Sequence, residues 1–388
     1  MKEKLIRGYQ KAFKEVPQLF YFSPGRVNII GEHIDYNGGK VLPMGISLGI
    51  YGAITFKEGS KCRLVSEGFA HERIFEFDLN NFKESDDFTK YVKGVIYVLR
   101  KYKNAKIDKG FDIYMTTTLP PASGLSSSAA LELLISHILN DEFKLGLSNL
   151  DCVLMSQAAE REYAHVNCGI MDQFAIGMSE ENKVILLDCA TINYEYFDFK
   201  LDGATLVIIN TCKPRALADS KYNERRAECE ACLEVLKAKY GKETLCEYTM
   251  DELNSIKDSI PDNLYRRARH AITEELRVEE ATKAMASGKL KELGLLLNAS
   301  HKSLKEDYEV TGLHLDVIAE ELQKSDIVLG ARMTGAGFGG CAICLVNSTN
   351  KDEINKLMNN VNDIYYTKTG IHFKYYYCES SDKTGILK

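Results

Sequence analysis

Proline is scarce in this sequence, with seven residues in 388, and no segment is rich in proline and serine. A tether between independent units is therefore not expected, and no internal repeat or low-complexity tract interrupts the chain, so any domains should pack closely. Positive charge is also short: 49 Lys+Arg against 55 Asp+Glu leave a formal net charge of −6, which argues against a surface built for nucleic acid. Long apolar runs are missing, since even GISLGIYGAITF (45–56) is brief and punctuated by glycine, so no membrane-crossing helix and no membrane partner are expected. The first residues, MKEKLIRGYQKAF, alternate charged and apolar positions at helical spacing and carry no apolar core with a cleavage site behind it. The expected location is cytoplasmic, and the chain is expected to act as a monomer on small molecules.

A disulfide framework is absent as well. Eleven cysteines, an odd number without tidy spacing, fit small buried residues in a reducing compartment. Cys229 and Cys232 fall in a charged helical stretch, and Cys341 and Cys344 in the strand-like run CAICLV, where residues three apart face opposite sides. Neither pair is placed as a tetrahedral zinc site requires, so core packing is the reading. Transition-metal binding elsewhere is not expected either, because Glu162-x-x-His165 is a single unpaired motif. Walker A is missing: Gly39-Lys40 lacks the earlier glycine and the following Ser or Thr. GAGFGG (335–340) satisfies G-x-G-x-x-G formally, yet it leads into a strand-like run where a dinucleotide fingerprint needs a helix.

What is present is a folded globular composition, 45% hydrophobic and 27% charged, long enough for two domains. The first half mixes strand-like runs (GISLGIYGAITF, GFDIYMTTT) with helical patterns (YVKGVIYVLRKYK, and residues from Ala129 to about His137). From Ser220 long amphipathic patterns dominate, before strand signals return in DIVLGARMTG, CAICLVN and HFKYYYC. Two α+β halves are expected, 1–196 and 197–388, with the seam between Asp188 and Asp202.

Three patches carry the chemistry. GLSSSAALE (124–132) follows a strand-like run and opens a helical one, so its amides, its serine hydroxyls and the helix dipole suit a nucleotide phosphate. An isolated serine cluster would more often simply cap the helix. GAGFGG reads as a tight loop whose bare backbone approaches phosphates or the first loop. SPGRVNIIGEHIDYNGG (23–39) crowds Arg26, Glu32, His33 and Asp35 between apolar flanks, a set able to hydrogen-bond several sugar hydroxyls at once.

In this order the patches resemble the three motifs of the GHMP small-molecule kinases. GRVNIIGEHIDYNGG resembles the galactokinase signature within that superfamily, and CGIMDQF (168–174) and SKYNERRAEC (220–229) fit the same family. The resemblance spans nearly the whole chain. It implies the two-domain α+β GHMP kinase fold, with a ribosomal-protein-S5-like N-terminal domain, a ferredoxin-like C-terminal domain and the active site in the cleft between them. It implies ATP-dependent phosphorylation of the C1 hydroxyl of galactose, the first step of galactose utilisation, with Mg²⁺. Glu32, His33, Ile34, Asp35, Gly169, Asp172 and Tyr222 would build the sugar pocket. Ala122, Ser123, Gly124, Leu125, Ser126, Ser127 and Ser128, with Gly335, Ala336 and Gly337, would hold ATP, and Ser128 and Glu160 the metal. Asp172 would be the base or orienting group for the reacting hydroxyl, with Arg26 as the fixed positive charge beside it. The chain departs from the family pattern at Ala122, where glycine is frequent. The resemblance leaves two alternatives: an N-acetylgalactosamine or arabinose kinase of the same family, or a catalytically silent sensor of galactose and ATP.

Overall fold

The structure is a computed structural model and describes residues 1–67, 73–121, 123–213 and 218–387. The first half is built on a six-stranded sheet in the spatial order Gly385–Ile386, Leu19–Asn28, Pro43–Lys57, Gly110–Thr117, Lys61–Ser66, Phe75–Asp78. All neighbours are antiparallel except Lys61–Ser66 against Gly110–Thr117. The amphipathic start forms the helix Lys2–Phe13, whose Leu5, Tyr9 and Phe13 recur at intervals of four and so share one face. That face covers one side of the sheet, against Ala53, Val65 and Tyr114. The helices Ser127–Phe143 and Met171–Met178 cover the other side, with Asn149–Glu162 packed on both. Ser127–Phe143 is buried on every face from Ala129 to Leu139, enclosed by the sheet and the neighbouring helices.

The second half is built on a four-stranded antiparallel sheet ordered Val328–Thr334, Cys341–Val346, Thr205–Asn210, Lys374–Tyr377. Numbered along the chain these strands are second, third, first, fourth, with helices before the second and the fourth, which is the ferredoxin-like arrangement. Cys341 and Cys344 lie on the central Cys341–Val346 strand, fully buried, and Cys229 and Cys232 are buried in the helix Ala218–Tyr240. A small sheet, Lys40–Val41, Lys183–Asp188 and Tyr194–Asp198, lies beside the first half. Residue 196 falls inside the last of these strands, and the chain passes to the second sheet in residues 199–204. It also returns, because Gly385–Ile386 pairs with Leu19–Asn28. No helix among the described residues is long and apolar enough to cross a membrane.

The first motif fastens the halves together. Beyond Leu19–Asn28 the chain runs through residues 29–39 with Gly31, His33 and Gly38 at positive φ. The second half fills the polar groups this irregular backbone leaves. Thr334 Oγ1 donates to the Asn28 carbonyl (3.0 Å), His270 Nε2 meets the Glu32 carbonyl (3.0 Å), and the Glu274 carboxylate accepts from Gly31 N–H (3.1 Å). Buried backbone groups need such partners, and here they come from the other domain, so the loop is held between both.

Candidate active site

One cavity of about 260 Å³ lies between the halves, and the three motifs meet on its wall. Arg26, Glu32, His33, Asp35, Ser123, Gly124, Ser126, Ser127, Ser128, Glu160, Gly169, Asp172, Tyr222, Gly335 and Ala336 all line it, although they come from distant parts of the chain.

Asp172 sits in the first turn of Met171–Met178, one third exposed toward the cavity. Its Oδ1 accepts from Nε of Arg26 (2.9 Å) and pairs with Nη2 at 2.8 Å, and its Oδ2 accepts from the Ser126 hydroxyl (2.5 Å). Arg26 is buried, and its Nη1 donates to the Gly124 carbonyl (2.7 Å), so one guanidinium joins the carboxylate to the serine–glycine turn. Ser126 occupies the N-cap of Ser127–Phe143 in a left-handed conformation and makes no side-chain cap bond. Ser126 therefore does not cap its helix: its hydroxyl bonds the Asp172 carboxylate instead.

The third loop closes on the same point. Gly335 has φ +82°, and a Cβ there would stand 2.9 Å from the Gly124 carbonyl oxygen. Only glycine fits both the backbone and the space. As expected, the loop leads into the strand Cys341–Val346.

Glu32 and His33 line the cavity with polar atoms already bonded to protein. Glu32 Oε1 accepts from Gly335 N–H (2.9 Å) and lies 3.1 Å from Thr334 Oγ1, while Oε2 accepts from Asn28 and pairs with the buried Arg332. Burial raises its pKa despite Arg332. Burial also pushes the His33 pKa down to about 3, so the ring is neutral. Its Nε2 faces the Ala336 carbonyl (3.2 Å), which can only accept, so Nε2 carries the proton. Nδ1 then accepts from the Tyr36 hydroxyl (2.8 Å), which in turn meets the Tyr308 hydroxyl (2.8 Å). A sugar hydroxyl reaching Glu32 or His33 shares atoms that already join the first motif to the third.

Asp35 is the first-motif carboxylate without a basic partner among the described residues. Burial, then the charge of Asp172, pushes its pKa up to about 6. Gly169 lies against it so closely that a Cβ would stand 1.8 Å from Oδ2. Tyr222, on Ala218–Tyr240, completes this wall.

Glu160 lies in the last turn of the helix Asn149–Glu162, with its pKa pushed up to about 7 by burial and by Asp172, opposed by Ser128, Gln173 and Cys168. Among the described residues no lysine or arginine pairs with it. A buried carboxylate beside a second carboxylate and a serine hydroxyl, with no cation of its own, fits a hard divalent cation.

Three expected contacts need correction. Ile34 and Leu125 are buried in the hydrophobic core and do not line the cavity. Gly337 faces the Val310 carbonyl, which a Cβ would meet at 2.3 Å, and does not line the cavity. Ala122 lies outside the described residues. Sequence reading missed Tyr36, Val166, Cys168 and Met171 on the wall. Tyr36, Cys168 and Met171 had a signal, next to Asp35, Gly169 and Asp172 within the quoted motifs, and Val166 had none.

The galactokinase galactose-binding signature matches residues 7–56, the GHMP kinases N terminal domain residues 90–180, and the GHMP kinases C terminal domain residues 281–367. A galactokinase of Clostridium perfringens is 48% identical over 367 residues, covering 94% of each chain. The chain belongs to the galactokinase family. Another galactokinase, from Ligilactobacillus salivarius, is 44% identical over 391 residues and covers 100% of both. The crystal structure of Lactococcus lactis galactokinase complexed with galactose matches this galactokinase-family fold with a TM-score of 0.95, at 44% identity over 99% of each chain. A mevalonate kinase structure, 17% identical with a TM-score of 0.65, shares the fold.

Proposed function

We propose that this chain transfers the γ-phosphoryl group of ATP to the C1 hydroxyl of galactose, with Asp172 receiving or orienting the hydroxyl proton. One observation carries the residue assignment: Asp172 is held on one oxygen by Arg26 and on the other by Ser126, which belongs to the serine–glycine turn. A carboxylate so placed stands where a sugar hydroxyl and a nucleotide phosphate would meet. Phosphoryl transfer asks the protein mainly to align these groups and to offset spreading charge, and each neighbour suits one of those tasks.

Asp35, Tyr222 and the backbone at Gly169 hold and orient the sugar at one end, with Glu32 and His33 behind them. The amides and hydroxyls at Ser123, Gly124, Ser126, Ser127 and Ser128, at the positive end of Ser127–Phe143, take the phosphates of ATP, with Gly335 and Ala336 bracing the turn. Arg26 adds a fixed positive charge between the two ends. Ser128 and Glu160 hold Mg²⁺, which when bound offsets charge on the phosphoryl oxygens. The proposed domains are the N-terminal half, 1–196, and the C-terminal half, 197–388.

A coupled assay of ADP release over galactose, N-acetylgalactosamine, arabinose and glucose tests the function. Turnover highest on galactose supports it, and turnover highest on the acetamido sugar or the pentose assigns the chain to a sister activity. Binding of galactose and ATP without ADP release on any sugar would mean a sensor.

A further inference from the structure

The helices Ser127–Phe143 and Asn149–Glu162 run antiparallel, and their facing residues recur at intervals of four. Ser128 neighbours Glu160 and Ser136 neighbours Cys152, which puts Glu132 opposite Ser156 between them. A polar stripe therefore leads from the cavity into the interior, where Glu132, Ser136 and Ser156 are completely buried. Residues of this kind are costly in a core unless they perform a task.

Gln173 enters the stripe from a third helix. It follows Asp172 on Met171–Met178, so as Asp172 points to the cavity Gln173 turns inward, and it is fully buried. Its Nε2 donates to Glu160 Oε2 (2.5 Å) and to Glu132 Oε2 (3.2 Å). One amide nitrogen thus uses both of its protons to separate two carboxylates. This amide orientation gives an N–H donor to an oxygen of each carboxyl group.

We propose that Gln173 is a positioning residue for the metal carboxylate: it clamps Glu160 from behind, anchored on Glu132, and sets the geometry in which Glu160 and Ser128 take a divalent cation. This rests on the reading that Ser128 and Glu160 hold Mg²⁺. Holding Oε2 fixes the rotation of the Glu160 carboxylate about its last bond, so the group meets a cation without reorganising. Because Asp172 and Gln173 are consecutive, one helix start registers both the reacting hydroxyl and the metal.

The test uses the full chain with a non-hydrolysable ATP analogue and Mn²⁺ as a spectroscopic stand-in for Mg²⁺, with bound and free Mn²⁺ counted by electron paramagnetic resonance. Gln173→Leu should weaken Mn²⁺ binding about 10-fold or more, the range in which partners of metal ligands act, while the galactose dissociation constant stays within about twofold. Gln173→Asn keeps the amide but shortens its reach by one methylene. It should weaken Mn²⁺ in the same way, and it keeps the test open if the leucine variant does not fold. Mn²⁺ affinity unchanged in both Gln173 variants, with a clear loss in Glu160→Gln, overturns the positioning role alone. No loss in Glu160→Gln overturns the metal reading and the positioning role with it.

Discussion

The hydroxyl of Ser126 stands 2.5 Å from Oδ2 of Asp172, at a helix N-cap where a serine would ordinarily turn back to the helix amides. An N-cap serine that caps contributes about 0.5–2 kcal/mol to stability, and this one makes no such bond. Ser126→Ala should therefore cost no capping energy, and any fall in melting temperature should come from its bond to Asp172 alone. It should instead reduce kcat, because Asp172 loses one of its two anchors, a charge-assisted bond worth about 1.5–3 kcal/mol at most. A drop of roughly fivefold to tenfold, about 1 kcal/mol, is expected. Parallel melting curves and initial rates distinguish the two roles, and a lowered melting temperature with unchanged kcat would mean that the serine is only a cap.

Glu160 sets a pH dependence whose sign follows from its environment. Its pKa rises from 4.5 to about 7 on folding, through burial first and Asp172 second. Below about 4.5 the folded and unfolded chains both keep the proton. As pH rises from 4.5 toward 7, the unfolded chain loses it while the folded chain retains it, so this group's stabilising contribution is lost across that window. Other buried groups titrate nearby, so the measurement is a difference. Relative to Glu160→Gln, the wild type should lose on the order of 2–3 kcal/mol of unfolding free energy between about pH 4.5 and about pH 8. Mg²⁺ must displace the same proton, so its affinity with the nucleotide analogue should climb with pH and level off above about 7. A metal affinity flat from about pH 5 to about pH 8 would remove Glu160 from the metal site.

The three motifs were legible because each breaks a local rule: glycines where elements should continue, and charges between apolar flanks. Their convergence was not legible, since Arg26, Gly124, Asp172 and Gly335 meet only through packing of the two sheets. The same limit explains Glu32 and His33. The sequence marks them as polar residues in an apolar setting, which fits a sugar contact and a buried strut equally well. Only the fold shows that Arg332, Thr334, Gly335, Tyr36 and Ala336 already meet their polar atoms. Ile34 and Leu125 were assigned by adjacency within motifs, and adjacency does not say which way a side chain faces. Gln173 stood inside the quoted CGIMDQF run but carried no signal of its own role. A glutamine in a short apolar helix looks like any other until Glu132 and Glu160 are found on either side of it.

Gly169 offers a test of the sugar end alone. Alanine there would place its Cβ 1.8 Å from Oδ2 of Asp35, so the carboxylate must swing aside. Asp35 is a side-chain end, so the fold can adapt, but a hydroxyl bonded to that carboxylate loses its partner. Gly169→Ala should raise KM for galactose about tenfold or more, about 1.5 kcal/mol, with KM for ATP little changed. An equal rise in both would mean that the substitution disturbs the whole cleft.

Arg26 and Asp172 should behave as one unit, and the geometry says how a conservative change breaks it. The guanidinium reaches Oδ1 of Asp172 with Nε and Nη2 while Nη1 holds the Gly124 carbonyl, three donors in a rigid fork. A lysine ammonium is a single point on a flexible stem and does not span both partners, so the charge survives Arg26→Lys but the alignment does not. A loss in kcat of about 10²-fold is expected, since small misplacements in a reacting pair have effects of that size. Asp172→Asn alone should cost between about 10² and 10⁴, the usual span for a positioned proton acceptor. If the arginine acts by aiming the carboxylate, its substitution has little left to remove once the carboxylate is gone. The double variant should then be hardly slower than Asp172→Asn, and strictly multiplicative losses would show that Arg26 acts on the phosphoryl group independently of Asp172.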